Sequence, residues 1–543
     1  MNIISCKNID EIKGPYINFH LTPVDTLHPY LQVKSQLREG EAGFTRELLS
    51  WHRDLINSQN MNKDVMLFEG SRLLTERFEN LFFARAAAKA IPTGLNNIYV
   101  LGAPKDSLRI LAEILSGKLK SKYTFSEFRS DVRSFLSYHY HGIRSILPNV
   151  IRQPKAQDIE VLCFSMWLQG ADRRKHFYGS LLDGVESTVY LNVIPGEKAK
   201  PDKSYGFSTS RVSIINSIQI LFLLLKVSRL PWKALKGGPF LGSRSFQRSY
   251  VHKYFKTPYQ AALVYCHLKD HLKRNTVKNL IFPYEDKIIE RAIILAVKES
   301  ENMIRTIGYA HAAYNENQLY LHRRCSKGLH SSLTPDFIAS TGPSQRSWFI
   351  NYFGYSAEEV KSVGSHRYIN ADQSLYVEVG ERRILVLTAL AHELRQFANH
   401  IKKFSKFFSS YKIIIRRHPI ERSAEDDGII SELKSDFNLI EEEKSLDQQI
   451  LESNMVIFSA TTAGIEAMLL GKVAIYLDMG AGITHNPLAG KNGAEKIPQC
   501  SSGAELVVAV KNYHKKDVGK EFKEFAGKVF CPISSENVRD LFL

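Results

Sequence analysis

One pattern constrains the fold of this sequence more than any other. Short apolar runs alternate with longer amphipathic stretches through most of the chain. The runs are Val65–Phe68, Asn97–Leu101, Glu160–Phe164, Ser187–Val193, Asn279–Phe282, Arg305–Tyr309, Phe337–Ala339, Arg383–Thr388, Lys412–Arg416, Met455–Phe458 and Val473–Leu477. Helical periodicity lies between many of them, as in Lys287–Lys298, Leu390–Phe407, Ser445–Leu451 and Ala463–Leu470, and earlier in Ser71–Ala90 and Leu108–Leu119. Strands that alternate with helices indicate parallel sheets covered on both faces. There are more such units than one sheet normally holds, so the expected class is α/β with at least two Rossmann-like domains.

Composition narrows the class further. Hydrophobic residues make up 44% and charged residues 24% of 543, which excludes a disordered, collagen-like or coiled-coil chain. Six cysteines (Cys6, Cys163, Cys266, Cys325, Cys500 and Cys531) lie far apart, with no CxxC pair or Cys/His ligand spacing. A disulfide scaffold and a structural zinc site are therefore not expected. The start, MNIISCKNIDEIKG, lacks a basic segment followed by a long apolar one, and the reading is cytoplasmic.

Lys and Arg number 72 against 56 Asp and Glu, a net charge of +16. Such an excess suits a negatively charged partner: nucleic acid, an anionic membrane surface or a phosphorylated substrate. For nucleic acid, the sequence offers no RNP-like aromatic pair, KH loop or zinc spacing. No apolar run is long enough to span a bilayer. The nearest is Ile214–Leu225, flanked by Lys226, Arg229, Trp232, Lys233 and Lys236. Residues 214–236 fit an interfacial helix on an anionic membrane, or a buried core helix ending at Pro231.

The chemistry-bearing residues cluster at the ends of the apolar runs. In open α/β sheets, ligands bind outside the carboxyl ends of the strands. Arg416, Arg417 and His418 end one run, in the order RRHP, and suit phosphate oxygens. In MVIFSATTAGIEAMLLGKVAIYLD, Ser459, Thr461 and Thr462 open a helix whose N-terminus favours an anion, and Glu466 lies about one turn later. Glu285, just past one strand, and His311, just past the next, are placed to take a proton from a hydroxyl. Asp172, in LQGADRRKHFYG, is a third candidate for that role, although its basic neighbours could instead bind an anionic acceptor.

Taken together, RRHP and the strand–SATT–helix with Glu resemble the nucleotide-binding half of GT-B glycosyltransferases. They are most similar to the bacterial CMP-Kdo and CMP-sialic acid transferases of surface-carbohydrate synthesis. The segments NLIFPYEDKIIERAI, RTIGYAHAAY and FIASTGPSQRSWFINYFGYSAEEVKSVGSHRY are similar to the other half of that group, over roughly residues 155–515 in all. Ala310 stands where the relatives often have Gln.

The resemblance implies two Rossmann-like domains facing a cleft, and the pattern of apolar runs adds an N-terminal α/β region that the resemblance does not cover. Shifts near Pro148–Gln157 and the polar stretch Gly354–Ser374 give the expected divisions: 1–150, an N-terminal subdomain; 151–365, the acceptor side; 366–518, the nucleotide-sugar side; and 519–543, a C-terminal helix packing back. The resemblance implies transfer of an acidic sugar from a CMP-activated donor to a glycan or lipid-linked acceptor, by inversion, with no metal and no cofactor beyond the donor itself. His418 would contact the donor phosphate. Ser459, Thr461 and Thr462 would hold phosphate or sugar carboxylate, and Glu466 would lie by the ribose. No nucleic-acid partner is implied, and a peripheral place on the inner face of the cytoplasmic membrane suits such acceptors. A CDP-alcohol-dependent glycerol- or ribitol-phosphate transferase, a basic nucleic-acid-binding protein and a non-catalytic scaffold of the same shape are the competing readings.

Overall fold

The computed structural model of the chain describes residues 2–6, 16–18, 30–31, 84, 88, 97–101, 105–116, 158–164, 178–183, 185, 188–191, 257–285, 288–315, 318, 321, 333–368, 382–389, 391–417, 424–479, 485–513 and 519–543. Three parallel sheets organise them. A small one, in the order β1-β4-β2-β3, joins β1 (Asn2–Cys6), β2 (Tyr16–Asn18), β3 (Tyr30–Leu31) and β4 (Asn97–Leu101). The helix Lys105–Ser116 follows β4.

The second sheet holds β5 (Asp158–Phe164), β6 (Thr188–Leu191), β7 (Thr276–Pro283), β8 (Arg305–Ala310), β9 (Phe337–Ser340) and β10 (Val360–Ser362). Its order is β10-β9-β8-β7-β5-β6. The third holds β11 (Arg383–Thr388), β12 (Lys412–Arg417), β13 (Leu439–Ile440), β14 (Met455–Phe458), β15 (Val473–Leu477) and β16 (Gln499–Cys500), in the order β13-β12-β11-β14-β15-β16. Counted from its own first strand, the third sheet runs 3-2-1-4-5-6, the doubly wound Rossmann order. The second runs 2-1-3-4-5-6, the flavodoxin order with one more edge strand. The α/β class with two Rossmann-like sheets and an extra N-terminal α/β region is thus what the chain forms. The second and third sheets are called the N-lobe and C-lobe below.

The third sheet shows why its strands read as continuous apolar runs. Alternate residues serve opposite faces, and both faces are covered. Ile384, Val386, Ile413, Ile415, Ile457 and Ile475 pack with the helices Ala391–Lys402, Ala424–Asp436 and Gly503–Tyr513. Leu385, Leu387, Ile414, Val456, Phe458 and Ala474 pack on the other side with Ala463–Leu469 and Gly519–Val529. A strand buried on both faces has no reason to alternate in polarity.

Several sequence expectations land closely: β4, β11, β14 and β15 have the expected bounds, and β12 runs one residue further, to Arg417. The expected helix Leu390–Phe407 is two helices, Ala391–Lys402 and Ser405–Phe408. Phe404, between them, leaves helical geometry at φ −118 and ψ 29. The turn brings Phe408 into the core, where it is fully buried beside Tyr411. The short strands β1, β2, β3, β10, β13 and β16 have no counterpart among the expected runs. The expected run Val65–Phe68, the segment 214–236 and most of Ser71–Ala90 lie outside the described residues.

The last residues cross between lobes. Helix Gly519–Val529 lies against Ala463–Leu469 of the C-lobe and against Pro343–Asn351 of the N-lobe. The chain then runs along the N-lobe, with Cys531 N donating to Thr341 O (3.0 Å), Ser365 N to Cys531 O (2.9 Å) and Ser534 N to Val363 O (3.0 Å). Gly364, at φ +99, is needed here: a Cβ would come within 2.3 Å of Pro532 O. The final helix, Ser535–Phe542, places Val538 and Leu541 in the N-lobe core with Val161, Ile281 and Ile307. Among the described residues, no helix is long and apolar enough to cross a membrane.

Two stability predictions follow from this packing. Ala is favoured over Gly in a helix by about 1 kcal/mol, but a Cβ on Gly464 would come within 2.3 Å of the Phe458 ring. Overpacking of that kind costs about 1–3 kcal/mol, so Gly464→Ala is expected to lower the denaturation midpoint; an unchanged or raised midpoint would refute the close approach. Leu541→Ala is expected to cost about 2–5 kcal/mol. Its loss of amide-exchange protection should fall on β7 and β8 and spare β14; loss centred on β14 would contradict the docking.

Candidate active site

Pro283 ends β7, and Glu285 follows two residues later. The loop is held by a carboxylate: Glu285 N donates to Glu290 Oε2 at 2.8 Å, from the first turn of the helix Ile288–Lys298. Glu290 is itself buried. The adjacent strand, β8, ends at Ala310, so His311 emerges beside Glu285. His311 Nε2 stands 3.7 Å from Glu285 Oε1, with side-chain exposures of 8% and 21%. That distance is an electrostatic contact rather than a hydrogen bond. The two candidate proton acceptors are therefore neighbours at the carboxyl edge of the N-lobe. Asp172, the third candidate, lies outside the described residues.

In the C-lobe the strand order reverses between β11 and β14, the switch point at which open α/β sheets bind ligands. A fully buried carboxylate that the sequence reading passed over bridges the two loops there. Glu393 Oε2 accepts from Ala389 N at 2.6 Å, and its Oε1 accepts from Ala460 N at 3.1 Å. The turn Ser459–Thr462 follows β14 directly. Ser459 is buried, while Ala460, Thr461 and Thr462 are partly open. Thr461 Oγ1 accepts from Ala463 N at 3.3 Å, and the Thr462 side chain makes no cap bond. Gly464 lets the helix settle on the Phe458 ring, which keeps this turn tight against the strand end.

Among the described residues, the charged candidates of the C-lobe, Arg416, Arg417 and Glu466, have protein partners. Arg416 donates to Lys444 O and Gln449 Oε1, both at 2.8 Å. Arg417 pairs with Asp427 at 2.7 Å and Glu441 at 2.9 Å. Glu466 accepts from Arg367 at 2.5 Å, and Arg367 belongs to the segment that leaves the N-lobe. Asp447 lies in the same charged neighbourhood. Burial raises its carboxyl above the ordinary range, the Glu466 charge adds to that, and Arg416 opposes it. His418, directly after Arg417, lies outside the described residues.

The two carboxyl edges face one another. Ala313, two residues beyond His311, is buried in the same apolar cluster as Leu387, Phe458 and Ala463. The structure thus brings Glu285 and His311 together, and Ala313, on the segment that follows His311, shares an apolar cluster with Phe458 and Ala463, which flank the Ser459–Thr462 turn. Glu290 and Glu393 had a readable signal. Each is a Glu in the first turn of a helix, four or five residues after a loop amide that needs an acceptor.

No family model matches the chain, and no curated protein matches it. Solved structures of similar outline do exist. HepE (Alr3699) of Anabaena, solved with UDP and glucose, is 9% identical and matches 71% of this chain and 97% of its own, with a TM-score of 0.42. The lipopolysaccharide outer core galactosyltransferase WaaB is 11% identical over 70% of this chain and 98% of its own, at 0.41. The wall teichoic acid polymerase TagF is 12% identical over 81% of this chain and 97% of its own, at 0.38. At this level the similarity is one of general outline and bears on neither donor nor acceptor.

Proposed function

We propose that the chain is a glycosyltransferase of bacterial surface-polysaccharide synthesis. It moves an acidic sugar from a CMP-linked donor to a glycan or lipid-linked hydroxyl. One observation carries the reading: a Glu285–His311 pair stands 3.7 Å apart at the end of one doubly wound sheet, and the segment after His311 joins the apolar cluster beside the Ser459–Thr462 turn of the other. One edge can accept a proton while the other receives an anion. The motif resemblance supplies the identity of that anion as the CMP phosphate.

In this mechanism the acceptor hydroxyl lies beside Glu285, which takes its proton as the oxygen attacks the anomeric carbon. His311 stands next to the carboxylate and orients the hydroxyl or the donor carboxylate. The bond from the anomeric carbon to the phosphate oxygen breaks, and CMP leaves with both electrons. His418 and the hydroxyls of the Ser459–Thr462 turn stabilise the departing phosphate. Preorganised donors of this kind contribute ~3–4 kcal/mol each when one is removed. The amide of Ala460 already serves Glu393, so the side chains carry more of that task than the turn amides. Arg416, Arg417 and Glu466 act mainly by holding the surrounding loops, and Glu466 meets the ribose at the edge of its ion pair with Arg367. The net charge of +16 and the sequence of segment 214–236 fit a peripheral position beside a lipid-linked acceptor.

The decisive assay incubates the protein with CMP-, CDP- and UDP-linked donors and an acceptor extract, and reads released nucleotide and product mass. CMP release with the mass gain of an acidic sugar is expected. A glycerol- or ribitol-phosphate mass gain from a CDP-alcohol would transfer the chain to the related phosphotransferase reaction, and no release from any donor would overturn both. Glu285→Gln is expected to reduce transfer by ~100-fold or more while CMP still raises the melting temperature. Loss of CMP binding in that variant would contradict its role as base.

A further inference from the structure

The proton-accepting pair is held from the opposite lobe. Lys491 lies in the C-lobe loop between β15 and β16, and only 4% of it is exposed. Its Nζ donates to Tyr314 O at 2.6 Å and stands 5.6 Å from the Trp348 ring centroid. Both of those partners belong to the N-lobe. Gly490, at φ +67, lies so close to Trp348 that a Cβ would come within 2.4 Å of the ring. A second tie runs alongside, from Asn315 Nδ2 to Asn486 O at 3.1 Å.

Tyr314 is where these contacts meet the site. Its carbonyl is taken by Lys491, and its amide donates to the fully buried Gln345 Oε1 at 3.4 Å. Its hydroxyl donates to Tyr284 O at 2.6 Å, and Tyr284 immediately precedes Glu285. Tyr284 OH in turn meets Tyr355 OH at 2.8 Å. His311 lies three residues before Tyr314 on the same segment. One residue thus joins the His311 loop to the Glu285 loop, and a cation from the facing lobe fixes that residue. An ammonium hidden this deeply is costly unless its position is defined by good partners.

We infer that Lys491 is a positioning residue: through Tyr314 it sets the spacing and direction of the Glu285–His311 pair when the two lobes are docked. This rests on the proposed function insofar as the pair does the chemistry. The geometry of the clasp itself stands apart from it. The consequence is that the reacting pair is assembled only with the C-lobe in place.

The test compares Lys491→Met and Lys491→Arg in the full chain. Small displacements of reacting groups can cost on the order of 100-fold in rate. Lys491→Met is therefore expected to lower kcat by ~10–100-fold with donor KM changed less than ~3-fold, and Lys491→Arg to recover part of kcat. An unchanged kcat in the folded Met variant, or a loss confined to donor KM, overturns the inference. If Lys491→Met does not fold, Tyr314→Phe replaces it: the hydroxyl bond to Tyr284 goes while the carbonyl bond stays. A kcat loss at constant donor KM supports the inference, and an unchanged kcat overturns it. Amide exchange at Ala313, Tyr314 and Asn315 separates this from the functional reading, because it needs no substrate. Faster exchange there in Lys491→Met, with β14 unaffected, supports the clasp even if no CMP-sugar turns over; equal protection overturns it.

Discussion

The structure depends on how the N-lobe strand β8 ends. Beyond Ala310 the chain does not turn back over its own sheet at once. It carries Ala313 into the apolar layer formed by Leu387, Phe458 and Ala463 of the C-lobe. Burial of a small side chain contributes modestly by itself, but this contact fixes which edges meet. Once Ala313 is seated, Tyr314 O meets Lys491, Asn315 meets Asn486, and the carboxyl edges of two doubly wound sheets lie opposite each other. The C-terminal segment reinforces the same arrangement, since one helix touches both lobes and the last one completes the N-lobe core.

Parallel strands leave loop amides without ladder partners at their carboxyl ends, and this chain answers that with carboxylates. Glu290 receives Glu285 N, Glu393 receives Ala389 N and Ala460 N, and Glu505 receives Ser501 N. Each lies in the first turn of the next helix, where the helix dipole favours a negative charge. The arrangement stiffens the loops at the carboxyl ends of the strands. It also takes up the Ala460 amide that would otherwise meet a bound anion, which shifts the work of anion binding toward side chains.

The fold was largely legible in the sequence. Strands such as Met455–Phe458 and Val473–Leu477 are buried on both faces, so their apolar runs are unbroken and bounded by polar turns. The two- and three-residue strands β3, β10, β13 and β16 were not legible, because they are too short to show any period. The helix break at Phe404 was hidden for a related reason: Phe404, Phe407 and Phe408 continue an apolar pattern while the backbone turns. At the site, proximity of Glu285 and His311 followed from adjacent strand ends. The engagement of Arg417 with Asp427 and Glu441, and of Glu466 with Arg367, did not, because their partners come from distant segments. Lys491 looks like a surface lysine in a Gly/Asn-rich loop, and only the docking of the lobes hides it.

A facing pair of carboxyl edges, one with a proton acceptor and one with an anion-receiving turn, is the physical core of this account. The most direct measurement is a crystal structure of the chain with CMP bound. The phosphate is expected to lie at the Ser459–Thr462 turn, with the bound nucleotide between that turn and the Glu285–His311 pair. Nucleotide density elsewhere on the molecule, or an empty cleft at saturating CMP, would contradict it.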